Sequence, residues 1–184
     1  MAKKVLVPIA DGSEEIEAVC IIDTLRRAEA DVTVASVGGR QVTASRGVKI
    51  EADVLIGDCV GQTYDCIALP GGMPGAEHLR DSSDLIGMLK EQKQSGRLYA
   101  AICASPAVAL KPHGLLDGVK ATSYPSFRDR LDPASASDER VVVDGNCVTS
   151  QGPGTAIEFA GKLVEILFGP DKAREVVGPM LVSA

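Results

Sequence analysis

The sequence has no tryptophan, three tyrosines, three phenylalanines, only two histidines and no excess of positive charge. So few aromatics give bases no platform for stacking. A net charge of −6 with a pI near 5.0 offers phosphates no basic face, which argues against a nucleic-acid partner. Long hydrophobic runs are missing too, so nothing here crosses a bilayer. The first apolar stretch, Val5-Leu6-Val7-Pro8-Ile9, is too short for a signal-peptide core and reads as a strand. Cys20, Cys59, Cys66, Cys103 and Cys147 are odd in number and scattered, with no Cys-x-x-Cys pair and no Cys/His cluster. That spacing argues against a disulfide framework or a zinc site and points to a reducing compartment. We expect the cytoplasm; a transit peptide removed upstream of this chain would instead place it in an organelle.

What the chain does have is 45% hydrophobic and 24% charged residues over 184 positions, the makeup of one globular domain spanning residues 1–184. Apolar runs at 4–9, 31–37, 66–69 and 98–102 read as buried strands, and a hairpin is expected around Asp144-Gly145-Asn146. A small hairpin fits Val42 to Ile50, and Lys120 to Tyr124 reads as a further strand. Helical patterns fill 14–28, 75–80, 85–94 and 154–168, with a short last helix after Pro170. Strands alternating with helices predict an α/β sandwich with a mostly parallel sheet and helices on both faces. Ligands bind beyond the carboxyl ends of such strands, the edge expected to hold Asp11, Gly71-Gly72, Cys103 and Tyr124.

The stretch Leu98 to Leu110 carries the chemistry. A strand runs into Cys103, and Ser105-Pro106 reads as an N-cap with proline in the first helical position. A cysteine held at a helix N-terminus is expected to have a lowered pKa and to act as a nucleophile. The glycines of Pro70-Gly71-Gly72-Met73-Pro74-Gly75 can bring backbone N–H groups close to a substrate as an oxyanion hole, although a tight turn needs the same residues. Glu14 and Glu15 read as helix-dipole compensation. Glu17, near an apolar face defined by Ile16, Val19 and Cys20, is expected to point toward the site, with a pKa raised by burial beside a thiolate. His78 and His113 suit surface or structural roles, and no metal site can be built from them.

These residues resemble the ThiJ/PfpI superfamily, in the branch of the parkinsonism-associated deglycase (DJ-one). The likeness runs through Val5-Leu6-Val7-Pro8, Ser13-Glu14-Glu15-Ile16-Glu17, Leu69-Pro70-Gly71-Gly72, Ala100-Ala101-Ile102-Cys103-Ala104 and Thr149-Ser150-Gln151-Gly152-Pro153-Gly154-Thr155. It implies a flavodoxin-like sandwich, a homodimer and a cysteine on a strained nucleophile elbow. By the same resemblance Cys103 is the reactive cysteine, Glu17 the carboxyl that hydrogen-bonds it, and Gly72 and Ala104 supply backbone donors. Ser45-Arg46, and Arg27 from a partner subunit, match positions that approach the site, and Pro153 lies in the loop that closes the pocket. Ala104 stands where protease-like members have His, and Tyr124 about where the animal protein has one. Ala44 and Glu51 replace that protein's peripheral cysteines.

The resemblance implies a glyoxalase that needs no cofactor or glutathione. Such an enzyme, a glyoxalase III-type hydro-lyase, converts methylglyoxal and glyoxal to 2-hydroxy acids through a Cys103 hemithioacetal, with deglycase activity toward protein adducts alongside. The rival reading is an oxidative-stress sensor or redox-regulated chaperone that acts on client proteins, with Cys103 oxidised to sulfinate. A cysteine peptidase is weaker for want of a histidine partner.

Overall fold

The computed structural model describes residues 2–181; the outermost residues of the domain expected over 1–184 lie outside that range. The first strand, β1 (Lys4–Ile9), leads into α1 (Glu15–Arg27), and β2 (Asp31–Ser36) follows. Next come the hairpin strands β3 (Gln41–Thr43) and β4 (Lys49–Glu51), the short β5 (Val54–Leu55) and β6 (Cys66–Leu69). Two helices, α2 (Gly75–Asp81) and α3 (Ser83–Ser95), precede β7 (Leu98–Ile102). After a long irregular stretch come the hairpin β8 (Val141–Asp144) and β9 (Cys147–Ser150), then α4 (Ala156–Phe168) and α5 (Pro170–Val177).

Seven strands form one sheet in the order β5-β2-β1-β6-β7-β9-β8, and only β8 runs antiparallel to its neighbour. Strands buried on both faces must be apolar at every position, which is why they read as continuous hydrophobic runs. Val5, Val7 and Ile9 of β1 pack on one face with Ile21 and Leu25 of α1 and Phe159 and Leu163 of α4. Leu6, Ile67, Leu69 and Tyr99 pack on the other with Leu79 of α2 and Leu85 and Leu89 of α3. Each such side chain contributes about 1.5–3 kcal/mol by leaving water.

The chain order places the site. From β1 the chain winds outward to β2 and β5, then returns to β6 on the opposite side. The crevice between the ends of β1 and β6 is the switch point where ligands bind in open α/β sheets. The residues that follow β1, β6 and β7 therefore meet at one edge.

Lys120 to Tyr124 is not a strand. It forms one isolated bridge, Ala121 to Ala136, and the Thr122 N–H donates to Thr149 Oγ1 at 2.9 Å. Both ladder sides of β9 are already taken, by β7 and β8, so this segment finds no place in the ladder there. The segment instead crosses the end of the sheet, and the Tyr124 N–H donates to the Cys103 carbonyl at 2.8 Å.

Candidate active site

Cys103 directly follows β7, with φ at 66°, in the left-handed region that side chains with a Cβ avoid. Its own N–H donates to Ser150 O on β9 at 3.0 Å, and its carbonyl holds Tyr124, so the strained turn is fixed from both sides. The helical segment after it, Pro106–Leu110, is a single π-helical stretch and is buried throughout. Ser105 does not cap it. Its dihedrals are already helical, and its hydroxyl reaches across to donate to Pro70 O at 2.5 Å.

Glu17 is fully buried and aimed at this elbow. The Gly71 N–H donates to its Oε2 at 2.7 Å, while Oε1 is buried with no hydrogen-bond partner. The apolar face once expected to carry Glu17 inward faces the other way: Ile16 is 53% and Val19 50% exposed. The buried face of α1 holds Glu15, Glu17, Ala18, Ile21, Thr24 and Leu25, so two carboxylates lie among its inward positions. Glu14 is the cap, with its carboxylate accepting from Glu17 N at 2.7 Å, and Ser13 Oγ accepts from Ala10 N.

Burial raises the Glu17 carboxyl to about 7, against the Gly71 N–H and the Cys103 hydrogen bond, which lower it. Burial and then the Glu17 charge push the Cys103 thiol up to about 12, while the Gly72 and Ala104 N–H groups pull it down. This overturns the simple expectation of a lowered thiol pKa. No cation contributes, and a helix end does not outweigh desolvation beside a carboxylate. Two buried acids in contact titrate as a pair, so a thiolate is favoured when Glu17 holds the proton.

The Gly-rich loop fits tightly around this pair. A Cβ on Gly71 would lie 2.6 Å from Cys103 Cβ and 2.9 Å from Glu17 Oε2. Gly72 has φ at 88°, and a Cβ there would meet Gly12 O at 2.4 Å. The ring of Tyr124 lies against Gly152, where a Cβ would come within 3.1 Å of it and 4.0 Å of Glu17 Oε1. Tyr124 is thus brought to the mouth of the site, half-exposed.

The remaining expected positions lie further out. Arg46 is exposed, and its backbone N–H donates to Glu15 Oε1 at 2.8 Å. Glu15 also accepts from Ser45 Oγ at 2.8 Å, so it ties the β3–β4 hairpin to α1 beside Glu17, more than the dipole compensation expected of it. Arg27 sits at the far end of α1, paired with Asp23 at 2.6 Å, and its own chain does not bring it to the site. Pro153 lines a groove of about 1320 Å³ between α1, α4 and α5, whose walls include neither Cys103 nor Glu17. His78 and His113 bond backbone carbonyls, of Asp11 and Arg80, each at 2.9 Å. Among the described residues no three His, Cys, Asp or Glu side chains gather where they could hold a metal, and no helix is long and apolar enough to cross a membrane. The sequence reading missed Ser105 as a bridge and Glu15 as a clamp. A buried polar residue inside an apolar run was the available signal for the first.

Residues 3–166 match the model of the DJ-1/PfpI family. A solved structure of Toxoplasma gondii DJ-1, in an oxidised form, superposes with a TM-score of 0.98 at 55% identity, over 100% of both chains. Protein DJ-1 homolog B of Arabidopsis thaliana is 51% identical over 180 residues, which are 97% of this chain but 41% of that protein. The chain thus spans less than half the length of that plant relative. A Caenorhabditis elegans protein, glutathione-independent glyoxalase DJR-1.2, is 36% identical over 97% of this chain and 95% of its own.

Proposed function

The chain belongs to the DJ-1/PfpI family, and from that premise we propose that it is a glutathione-independent glyoxalase acting on methylglyoxal and glyoxal. The observation that carries this reading is the pairing of Cys103 with the buried carboxyl of Glu17, one of whose oxygens has no hydrogen-bond partner. The Cys103 thiolate attacks the aldehyde carbon, and its charge moves to the carbonyl oxygen. Gly72 and Ala104 N–H groups, which face the sulfur, stabilise that charge, and Glu17 supplies the proton that completes the hemithioacetal. Glu17, now a carboxylate, takes the hydrogen from carbon one and returns it to carbon two, while the hydroxyl proton on carbon one passes to the oxygen on carbon two. The resulting thioester is hydrolysed by water to a 2-hydroxy acid, which frees the thiol. Aldehyde and water go in and hydroxy acid comes out, so no external oxidant or cofactor is needed. The name of the nematode relative supports the same chemistry.

The assembly we propose is a homodimer. Ile16 and Val19 on α1 are about half-exposed, as is Val48 beside β4, a cluster of apolar surface next to the Glu15 clamp. A second copy packed there would let Arg27 approach a neighbouring site. All five cysteines are free, which suits the reducing cytoplasm.

The deciding experiment is methylglyoxal consumption with lactate detected and no glutathione added, for wild type, Cys103→Ser and Glu17→Gln. Turnover in wild type alone supports the assignment of both residues. An inert wild type sinks it. A second reading, a redox sensor, is favoured by one observation: two N–H donors and the Glu17 carboxyl surround the sulfur, an arrangement that also holds a sulfinate. If the wild type is inert yet gains two oxygens on Cys103 after mild peroxide, that reading leads.

A further inference from the structure

Ser105 and Glu17 grip one peptide group from its two ends. The Ser105 hydroxyl donates to the Pro70 carbonyl at 2.5 Å. The Gly71 N–H, at the other end of the same Pro70–Gly71 unit, donates to Glu17 Oε2 at 2.7 Å. Ser105 and Glu17 are both fully buried, so water does not compete for either bond. A peptide unit is planar and stiff, so holding its oxygen also holds its N–H. The plane cannot slide, because the Gly71 Cα hydrogens already face Cys103 Cβ and the Ile102 carbonyl, which a Cβ would meet at 2.6 and 2.9 Å.

A hydrogen bond accepted by a carbonyl also polarises its amide and makes the N–H a stronger donor. The chain of groups from the Ser105 hydroxyl through the peptide to the Glu17 carboxylate therefore acts as one relay. We propose that Ser105 is a positioning residue for Glu17. Through the Pro70–Gly71 peptide it fixes Glu17 Oε2 on the Gly71 side of the elbow beside Cys103, and it strengthens the bond that holds the carboxylate form. The inference rests on the reading of Glu17 as the group that carries the proton. Other titratable groups around Glu17 are Glu14 and Cys20 on its own helix, Cys103 on the elbow and Tyr124 across Gly152. A Ser105 substitution removes none of them.

The test follows the Glu17 side-chain carboxyl carbon by carbon-13 NMR against pH, in a Cys103→Ser chain so that the thiol does not titrate. Adding Ser105→Ala weakens the Gly71 donor and moves the midpoint up by roughly half a pH unit. Ser105→Thr keeps the hydroxyl and returns the midpoint to its starting value. Ala107→Gly loosens the same π-helical stretch without touching the peptide and leaves the midpoint in place. An unmoved midpoint in Ser105→Ala, or an equal shift in Ala107→Gly, overturns the proposal. No aldehyde enters the measurement, so a protein inert toward methylglyoxal still reports on Ser105. An active protein with an unmoved midpoint overturns the Ser105 proposal alone.

Discussion

Gly71 donates its N–H to Glu17 Oε2 at 2.7 Å, and the other carboxyl oxygen, Oε1, is buried with no hydrogen-bond partner. It is one backbone donor set against the burial of a whole carboxylate, and burial wins: Glu17 rises from 4.5 to about 7.

The sign of the resulting pH dependence follows directly. Between 4.5 and about 7 the folded chain keeps a proton that the unfolded chain releases, so stability falls as pH rises through that window. Above it the buried charge costs roughly 3 kcal/mol. Glu17→Gln never carries the charge, and its amide oxygen can still accept from Gly71. Urea unfolding is expected to show this variant more stable than wild type at pH 8 and level with it at pH 4.5.

The positive φ of Cys103 predicts an inverted order of stability. Alanine is normally the better residue in a folded backbone, but at a φ of 66° glycine is free of strain. Cys103→Gly is expected to exceed Cys103→Ala by about 1 kcal/mol in denaturant unfolding, with no turnover in either. Equal stabilities would show that the elbow is not strained.

Gly72→Ala meets backbone on every side, with Gly12 O and Glu14 N each 2.4 Å from the new Cβ. Since backbone cannot rotate away as a side chain can, the loop must move, at a cost of about 2 kcal/mol or more. Displacing one donor of an oxyanion hole costs about 10²–10³ in rate, so kcat is expected to fall by that order. Paired unfolding and steady-state assays measure both.

For the dimer, Ile16→Glu places a charge in the exposed apolar cluster of α1 while leaving the inward face untouched. Sedimentation equilibrium is expected to show a dimer for wild type and a monomer for this variant. A wild-type monomer would remove Arg27 from any account of the site.

The strands were legible because strands covered on both faces have no room for polar residues, and Lys4–Ile9 and Leu98–Ile102 fall where the apolar runs do. The Lys120–Tyr124 stretch misled for a different reason: whether a ladder position is vacant depends on strand order, which a local reading does not see. Glu17 was placed inward by reasoning from Ile16, Val19 and Cys20, of which Ile16 and Val19 themselves point out. Apolar residues on a helix mark a face that something covers, and here the buried face carries two acids, Glu15 and Glu17, beside Ala18, Ile21 and Leu25. Ser105 was read from local habit as a cap, whereas its partner, Pro70, lies 35 positions away. The thiol pKa depended on the balance of burial, carboxylate and backbone donors, which no spacing along the chain encodes.

The parallel strand order also has a temporal consequence. Cys103 is shaped by Glu17 near the start of the chain, by Gly71 and Gly72 in the middle, and by Ser150, whose carbonyl accepts the Cys103 N–H. Loops between such distant segments close slowly, late in folding. During synthesis Cys103 precedes its partner on β9, so the Cys103 N–H bond to Ser150 can close only after β9 has been made. A chain stopped before Ser150 therefore lacks the carbonyl that holds Cys103 in its left-handed turn.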